Sequence, residues 1–136
     1  MAIVGFNFTG ITVEKKDMVK EKINISSNVE ITGVEKTDLS LGDSKQEAVK
    51  FLFRFDTTYT PNVGSINLLG NVIYIAEGKK VKELIDQWKK SKKADPKVIE
   101  QVLNTILSKS NIEALLLSKE VNLPSPLEMP KMQQKQ

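Results

Sequence analysis

The sequence predicts a single α+β domain, with four long strands in its first half and two or three helices in its second. Three observations carry this reading. Apolar and polar residues alternate up to about residue 77, the period of half-buried strands. After Gly78 the apolar spacing changes to that of a helix. The length of 136 residues, with 40% hydrophobic and 27% charged content, suffices for one domain with its own core.

The first strand carries Val4, Phe6 and Phe8 on one phase and Ile11 and Val13 on the other, so a bulge is expected near Thr9-Gly10. Asp17 to Glu21 reads as a turn. The second strand keeps period two through Ile23, Ile25, Ser27, Val29 and Ile31, and Gly33 ends the series. Asp38 to Gln46, holding Gly42-Asp43, reads as a connecting loop. The third strand places Val49, Phe51, Phe53 and Phe55 on one face, and Pro61 and Gly64 bracket the next turn. The fourth runs from about Ser65 to Glu77 with apolar residues on both faces, which predicts cover on both sides. These strands, roughly 11 to 14 residues long, exceed the usual ~5–6, and their edges invite pairing with another subunit.

Val81, Leu84, Ile85 and Trp88 form the stripe of a first helix, which Lys89-Lys90-Ser91-Lys92-Lys93 closes at the negative end of its dipole. Asp95-Pro96 has the chemistry of an N-cap followed by a first helical residue. The second helix buries Ile99, Val102, Leu103, Ile106 and Leu107. Ser110 to Glu113 has capping-box spacing, which predicts a break or kink near Lys109 and a further helix to about Lys119, with Leu115, Leu116 and Leu117 as its apolar surface. The domain is therefore expected over residues 1–122, and residues 123–136 form a tail. Its three prolines enforce an extended chain, and Leu123, Leu127, Met129 and Met132 give it an apolar character.

The composition excludes much chemistry. With no histidine and no cysteine, there is no histidine acid, base or metal ligand and no thiolate or disulfide. The carboxylates are scattered, and Gly64, Gly70 and Gly78 lack phosphate-loop spacing. The expectation is a binding protein without cofactor or metal rather than an enzyme. No apolar run approaches the ~18 residues of a membrane span, and no secretory leader pattern opens the chain, so the expected place is the cytoplasm. The net charge is +3, yet Arg54 is the only arginine among 20 basic residues. Arginine supplies the bidentate fork that reads bases and grips phosphate, so nucleic acid is not the expected partner.

The order of long strands, helices and a Leu-Pro-x-Pro segment resembles the bacterial export chaperone SecB and its archaeal SecB-like relatives. Gly5-Phe6-Asn7-Phe8 through Lys16 and Lys22-Ile23-Asn24-Ile25-Ser26 are similar to the archaeal branch. Gly64-Ser65-Ile66-Asn67-Leu68-Leu69-Gly70 resembles the family's glycine-bounded strand, and Leu123-Pro124-Ser125-Pro126 its proline-containing crossover beside the client groove. The chain departs from the family in being basic, in its extra helix before the proline segment and in lacking a helix after it. The resemblance implies a four-stranded antiparallel sheet with helices on one face and a dimer of dimers. It also implies ATP-independent holding of unfolded polypeptides in protein transport.

The function expected on these grounds is that of a holdase-type chaperone for unfolded or extended chains, with Phe6, Phe8, Trp88, Leu123, Leu127 and Met129 as the client-binding residues. The alternatives are a nucleic-acid or ribosome-associated module using Lys79, Lys80, Lys82 and Lys89 to Lys93, and a purely structural subunit.

Overall fold

The computed structural model describes residues 2–16, 22–41 and 44–126. Strands β1 (Ala2–Lys15), β2 (Asn24–Leu41), β3 (Ser44–Thr60) and β4 (Gly64–Ile75) precede helices α1 (Gly78–Ser91) and α2 (Pro96–Glu120). All pairings are antiparallel and the sheet order is β1-β4-β3-β2, so β3 and β4 are central and β1 and β2 are the edges.

The phenylalanine row of β3 builds the core. Phe51, Phe53, Phe55 and Tyr59 point toward the helices and are fully or almost fully buried, as are Ile66, Leu68 and Val72 of β4 beside them. Each such side chain contributes about 1.5–3 kcal/mol on leaving water. From β1, Phe6 stacks on Phe53 with ring centroids 5.2 Å apart and meets Phe8 edge-on at 5.0 Å. Gly70 makes room for this cluster. It pairs with Phe8 on one side and Phe53 on the other, and a Cβ there would come within 2.7 Å of the Phe53 ring and collide with the carbonyl of Asn7.

The bulge expected near Thr9-Gly10 lies between Phe8 and Gly10. Two further register breaks fall at Ile3/Gly5 and Ile31/Gly33. The first alters the expected phase of β1: Ile3 joins Phe6 and Phe8 against the core, while Val4 turns outward and is 51% exposed. On the face away from the helices, Gly5, Gly10 and Gly33 each sit beside a large side chain of the neighbouring central strand, Ile73, Leu69 and Leu52 respectively. The expectation of cover on both faces of β4 is corrected here. Both helices pack against one face, and Leu69 on the other is 48% exposed.

The expected loop over Asp38 to Gln46 is also corrected. β2 does not stop at Gly33 but runs on to Leu41, and β3 begins at Ser44 with Lys36 opposite Val49 and Asp38 opposite Glu47. Ladder hydrogen bonds between backbones need no apolar side chains where a hairpin overhangs its core. Gly42-Asp43 and the turn expected over Asp17 to Glu21 lie outside the described residues. The turn at Pro61 is present, with Asn62 in the left-handed region at φ 48°.

α1 buries Val81 and Leu84 and ends at Lys92, which adopts φ 57°. The side chain of Asp95 caps α2 by accepting from the Lys97 amide at 3.0 Å, and Lys80 Nζ reaches Asp95 at 2.6 Å. The break expected near Lys109 does not occur. α2 is one helix of 25 residues whose inward positions Val98, Val102, Ile106, Ser110, Ala114 and Ser118 follow at every fourth residue. Ser110 is therefore buried against the sheet instead of capping a new helix. An unbroken inward stripe on both sides of Lys109 outweighs a cap of about 1 kcal/mol, and a second helix would need a second nucleus.

Two outcomes follow. Gly70→Ala should destabilise the fold by about 1–3 kcal/mol or more, read as a lowered urea midpoint at unchanged m-value, because neither the Asn7 backbone nor the buried ring can yield cheaply. The hydrogen bond from Lys80, with that from the Lys97 amide, holds the Asp95 carboxyl below its usual range. Its contribution is thus present above the unfolded carboxylate pKa and lost as pH falls through the lower, folded value. Asp95→Ala should lower the melting temperature at neutral pH and flatten that acid dependence, measured by thermal melts across pH 2 to 7.

Candidate functional site

The inward stripe of α2 leaves Ile112 and Leu116, one turn apart, pointing away from the sheet at 57% and 54% exposure. Just beyond them the chain reverses. Asn122 adopts φ 58°, and the Leu123 amide donates back to the Ser118 carbonyl at 2.8 Å. This turn drives Leu123 into the core cluster of Phe55, Tyr59, Val63, Ile66, Leu68 and Ala114. Gly64 lacks the Cβ that would approach its methyl groups to 3.3 Å.

The proline segment that follows lies across the sheet. The Tyr59 hydroxyl donates to the Pro124 carbonyl at 2.7 Å, and burial pushes the phenol pKa above its ordinary value. On one side of this segment, Leu115, Leu116, Ser118, Lys119, Leu123 and Pro124 line an open, largely apolar groove of about 630 Å³. On the other, Val29, Phe55, Leu107, Asn111 and Pro126 line a hollow of about 360 Å³ over β2. The inward side chains of β2, namely Ile25, Val29, Ile31 and Val34, and that of Ile23 just before it are only half-buried. The helices leave the β2 edge of the sheet partly uncovered.

The expected client residues are distributed as follows. Phe6 and Phe8 sit half-buried on the helix-facing side of β1, with Lys109 Nζ 5.6 Å from the Phe6 ring centroid. Phe8 packs against the cluster that contains Leu123, so these two share one part of the core. Trp88 lies apart on α1, half-buried, with Lys92 Nζ 5.9 Å from its ring centroid. Leu127 and Met129 lie outside the described residues. Sequence reasoning noted the run Leu115 to Leu117 but missed the partnership of Leu116 with Ile112 and that of Tyr59 with Pro124. The i, i+4 spacing of Ile112 and Leu116 was an available signal, whereas nothing local marks Tyr59 as a partner of a residue 65 positions away.

Among the described residues, charged groups form no comparable constellation. Lys80 is engaged by Asp95, Lys36 pairs with Glu47 at 2.9 Å, and among the described residues no three carboxylates gather to hold a metal ion. Among the described residues no helix is long and apolar enough to cross a membrane.

No family model matches the chain, and no curated protein matches it. Among solved structures, it is similar to the SecB-like chaperone Rv1957 of Mycobacterium tuberculosis, determined in complex with a ChAD peptide from the Rv1956 HigA1 antitoxin. The TM-score is 0.55 at 8% sequence identity, over 95% of this chain and 88% of that one. The chain has a SecB-like fold. At this identity the likeness concerns the sheet and its helices, and the archaeal affiliation read from residues 5–26 rests on the sequence alone.

The Tyr59 contact is testable. A phenol whose pKa is raised on folding contributes stability that is intact below its unfolded pKa of about 10 and is lost as pH rises through the folded value. Tyr59→Phe should cost about 0.5–1.5 kcal/mol at neutral pH and should abolish this alkaline loss, measured by urea unfolding between pH 7 and 11.

Proposed function

We propose that this protein is an ATP-independent holdase that binds unfolded or extended polypeptides along an apolar track beside its proline segment, and that it works as an oligomer built as a dimer of dimers. The observation that carries the reading is the groove of about 630 Å³ between α2 and the Leu123–Pro124 segment, lined in part by the exposed Leu116, with the exposed Ile112 one helical turn before it. A ridge of large aliphatic side chains beside an apolar trough is an expensive surface to leave in water and suits apolar segments of many sequences. A second, separate hollow, lined by Ser27, Asn28, Val29, Phe55, Leu107, Asn111 and Pro126, lies over β2.

In this reading Leu123 shapes the floor of the groove, and the main client contacts are Leu115, Leu116 and Ile112. Phe8, with Phe6 packed on it, supports the core beneath Leu123, and Trp88 on α1 is proposed as a separate client contact. The proposed role is one of binding without catalysis, carried by apolar contact with Leu115, Leu116 and Leu123. The peptide seen with the mycobacterial SecB-like chaperone is in keeping with a polypeptide partner on this fold.

The test is an aggregation assay in which a chemically unfolded client is diluted into buffer with a stoichiometric amount of this protein. Suppression should persist from low to high salt, because apolar burial is insensitive to screening, whereas contacts made by Lys79, Lys82 and Lys89 to Lys93 with nucleic acid would weaken steeply. Ile112→Ser combined with Leu116→Ser should leave the fold intact and weaken client affinity about tenfold, close to 1.4 kcal/mol. Suppression confined to low salt, or unchanged affinity in the double variant, would sink the proposal.

A further inference from the structure

A second surface lies at the opposite end of α2 from the groove, where α1 gives way to α2, and we infer that this corner docks on an anionic lipid bilayer. Charge is concentrated here. Residues 79–97 hold eight lysines against three carboxylates, a net of +5 in a chain of net +3, so the remainder of the chain is net −2. At the corner itself Lys89, Lys90, Lys92, Lys93 and Lys97 are all exposed, and among the described residues none of them pairs with a carboxylate. Asp95 is the single carboxylate from residue 87 to residue 99, and it is already engaged by Lys80 at 2.6 Å and by the Lys97 amide at 3.0 Å. The contact with Lys80 also ties the start of α2 to α1, so the lysines are presented on a fixed corner.

The chemistry favours a bilayer over nucleic acid. All five cations are lysines, which act as point charges. The guanidinium fork that grips a phosphate or a base edge is missing, since Arg54, the only arginine, lies on β3 and pairs with Asp56 at 2.7 Å. A headgroup layer asks for no such fork, because each ammonium near an anionic surface adds its own increment of attraction. Trp88 stands half-buried among these lysines, with Lys92 Nζ 5.9 Å from its ring centroid, over a face that a stacked base would use. An indole at the boundary between an apolar body and a ring of cations has the amphipathic character of side chains that lie at headgroup depth. Docking therefore occupies Trp88 and leaves the groove, which begins about 30 Å further along α2, open to a client. The inference stands without the holdase reading, since neither Ile112 nor Leu116 takes part in it.

Trp88 is the only tryptophan, so its emission reports on the corner directly. The full chain is mixed with vesicles of about 30% phosphatidylglycerol in phosphatidylcholine, and with vesicles of phosphatidylcholine alone. Binding is read by co-flotation and by the Trp88 emission. Expected are co-flotation and a blue shift with the anionic vesicles only, both lost at about 1 M salt, where the Debye length falls to ~3 Å. Lys89→Gln, Lys90→Gln and Lys93→Gln together should weaken binding about 100-fold at an unchanged melting temperature. Lys15→Gln, Lys22→Gln and Lys50→Gln, which remove the same charge elsewhere, should bind like wild type. No co-flotation, equal binding to phosphatidylcholine, or equal losses in the two triple variants would each overturn the assignment. So would tighter binding to a single-stranded oligonucleotide than to the anionic vesicles at equal phosphate concentration, which would move the corner to a nucleic-acid partner.

Discussion

Four antiparallel strands of 12 to 18 residues lay out a sheet about 50 Å long and 19 Å wide, and two helices must shield its apolar face. α1 and α2, of 14 and 25 residues, are about 21 and 37 Å long. With a helix width near 10 Å they cover roughly 600 Å² of roughly 950 Å². The shortfall governs the rest of the structure. α1 settles over β3 and β2 and α2 over β4 and β3, where the phenylalanine row and Val72 lie, and part of the sheet margin stays uncovered. Ile11 on β1 is 47% exposed although it pairs with the buried Leu68, and the inward residues of β2 stay half-buried.

The same deficit explains the chain after α2. After α2 the polypeptide turns at Asn122, and the described residues Leu123 to Pro126 lie over the sheet margin without helical structure. Proline suits this position for a reason beyond stiffness. Pro124 and Pro126 carry no N–H, so a segment lying on apolar side chains has two fewer donors to satisfy, and the Pro124 carbonyl finds Tyr59. A helix in the same place would close the margin. The extended segment leaves space on both sides, and those spaces form the candidate site.

Much of the fold was legible in local patterns. Period two placed the inward residues of β3 and β4, of β2 up to Ile31 and of β1 at Phe6 and Phe8 but not Val4, the phase slip placed the Phe8/Gly10 bulge, and Asp95-Pro96 marked the start of α2. What escaped was set by distant partners. The β2–β3 hairpin runs through Asp38 to Gln46 because the backbones there pair with each other, which leaves no mark in the hydrophobic pattern. Ser110 to Glu113 has the residues of a cap, yet the sheet below α2 keeps the helix unbroken. The site was legible only in part. The proline segment and the leucine run stood out, but the outward turn of Ile112 and Leu116 depends on which face of α2 the sheet occupies.

The three register breaks at Gly5, Gly10 and Gly33 all fall on the two edge strands, while the β3–β4 ladder runs without one. An edge strand of 14 or 18 residues with an even ladder would be a template for endless strand addition, the geometry of fibres. Each break interrupts that template and twists the edge, so an incoming strand meets only short stretches in register. A protein that displays so much apolar surface is thereby protected from polymerising on itself, at the cost of a few lost backbone hydrogen bonds.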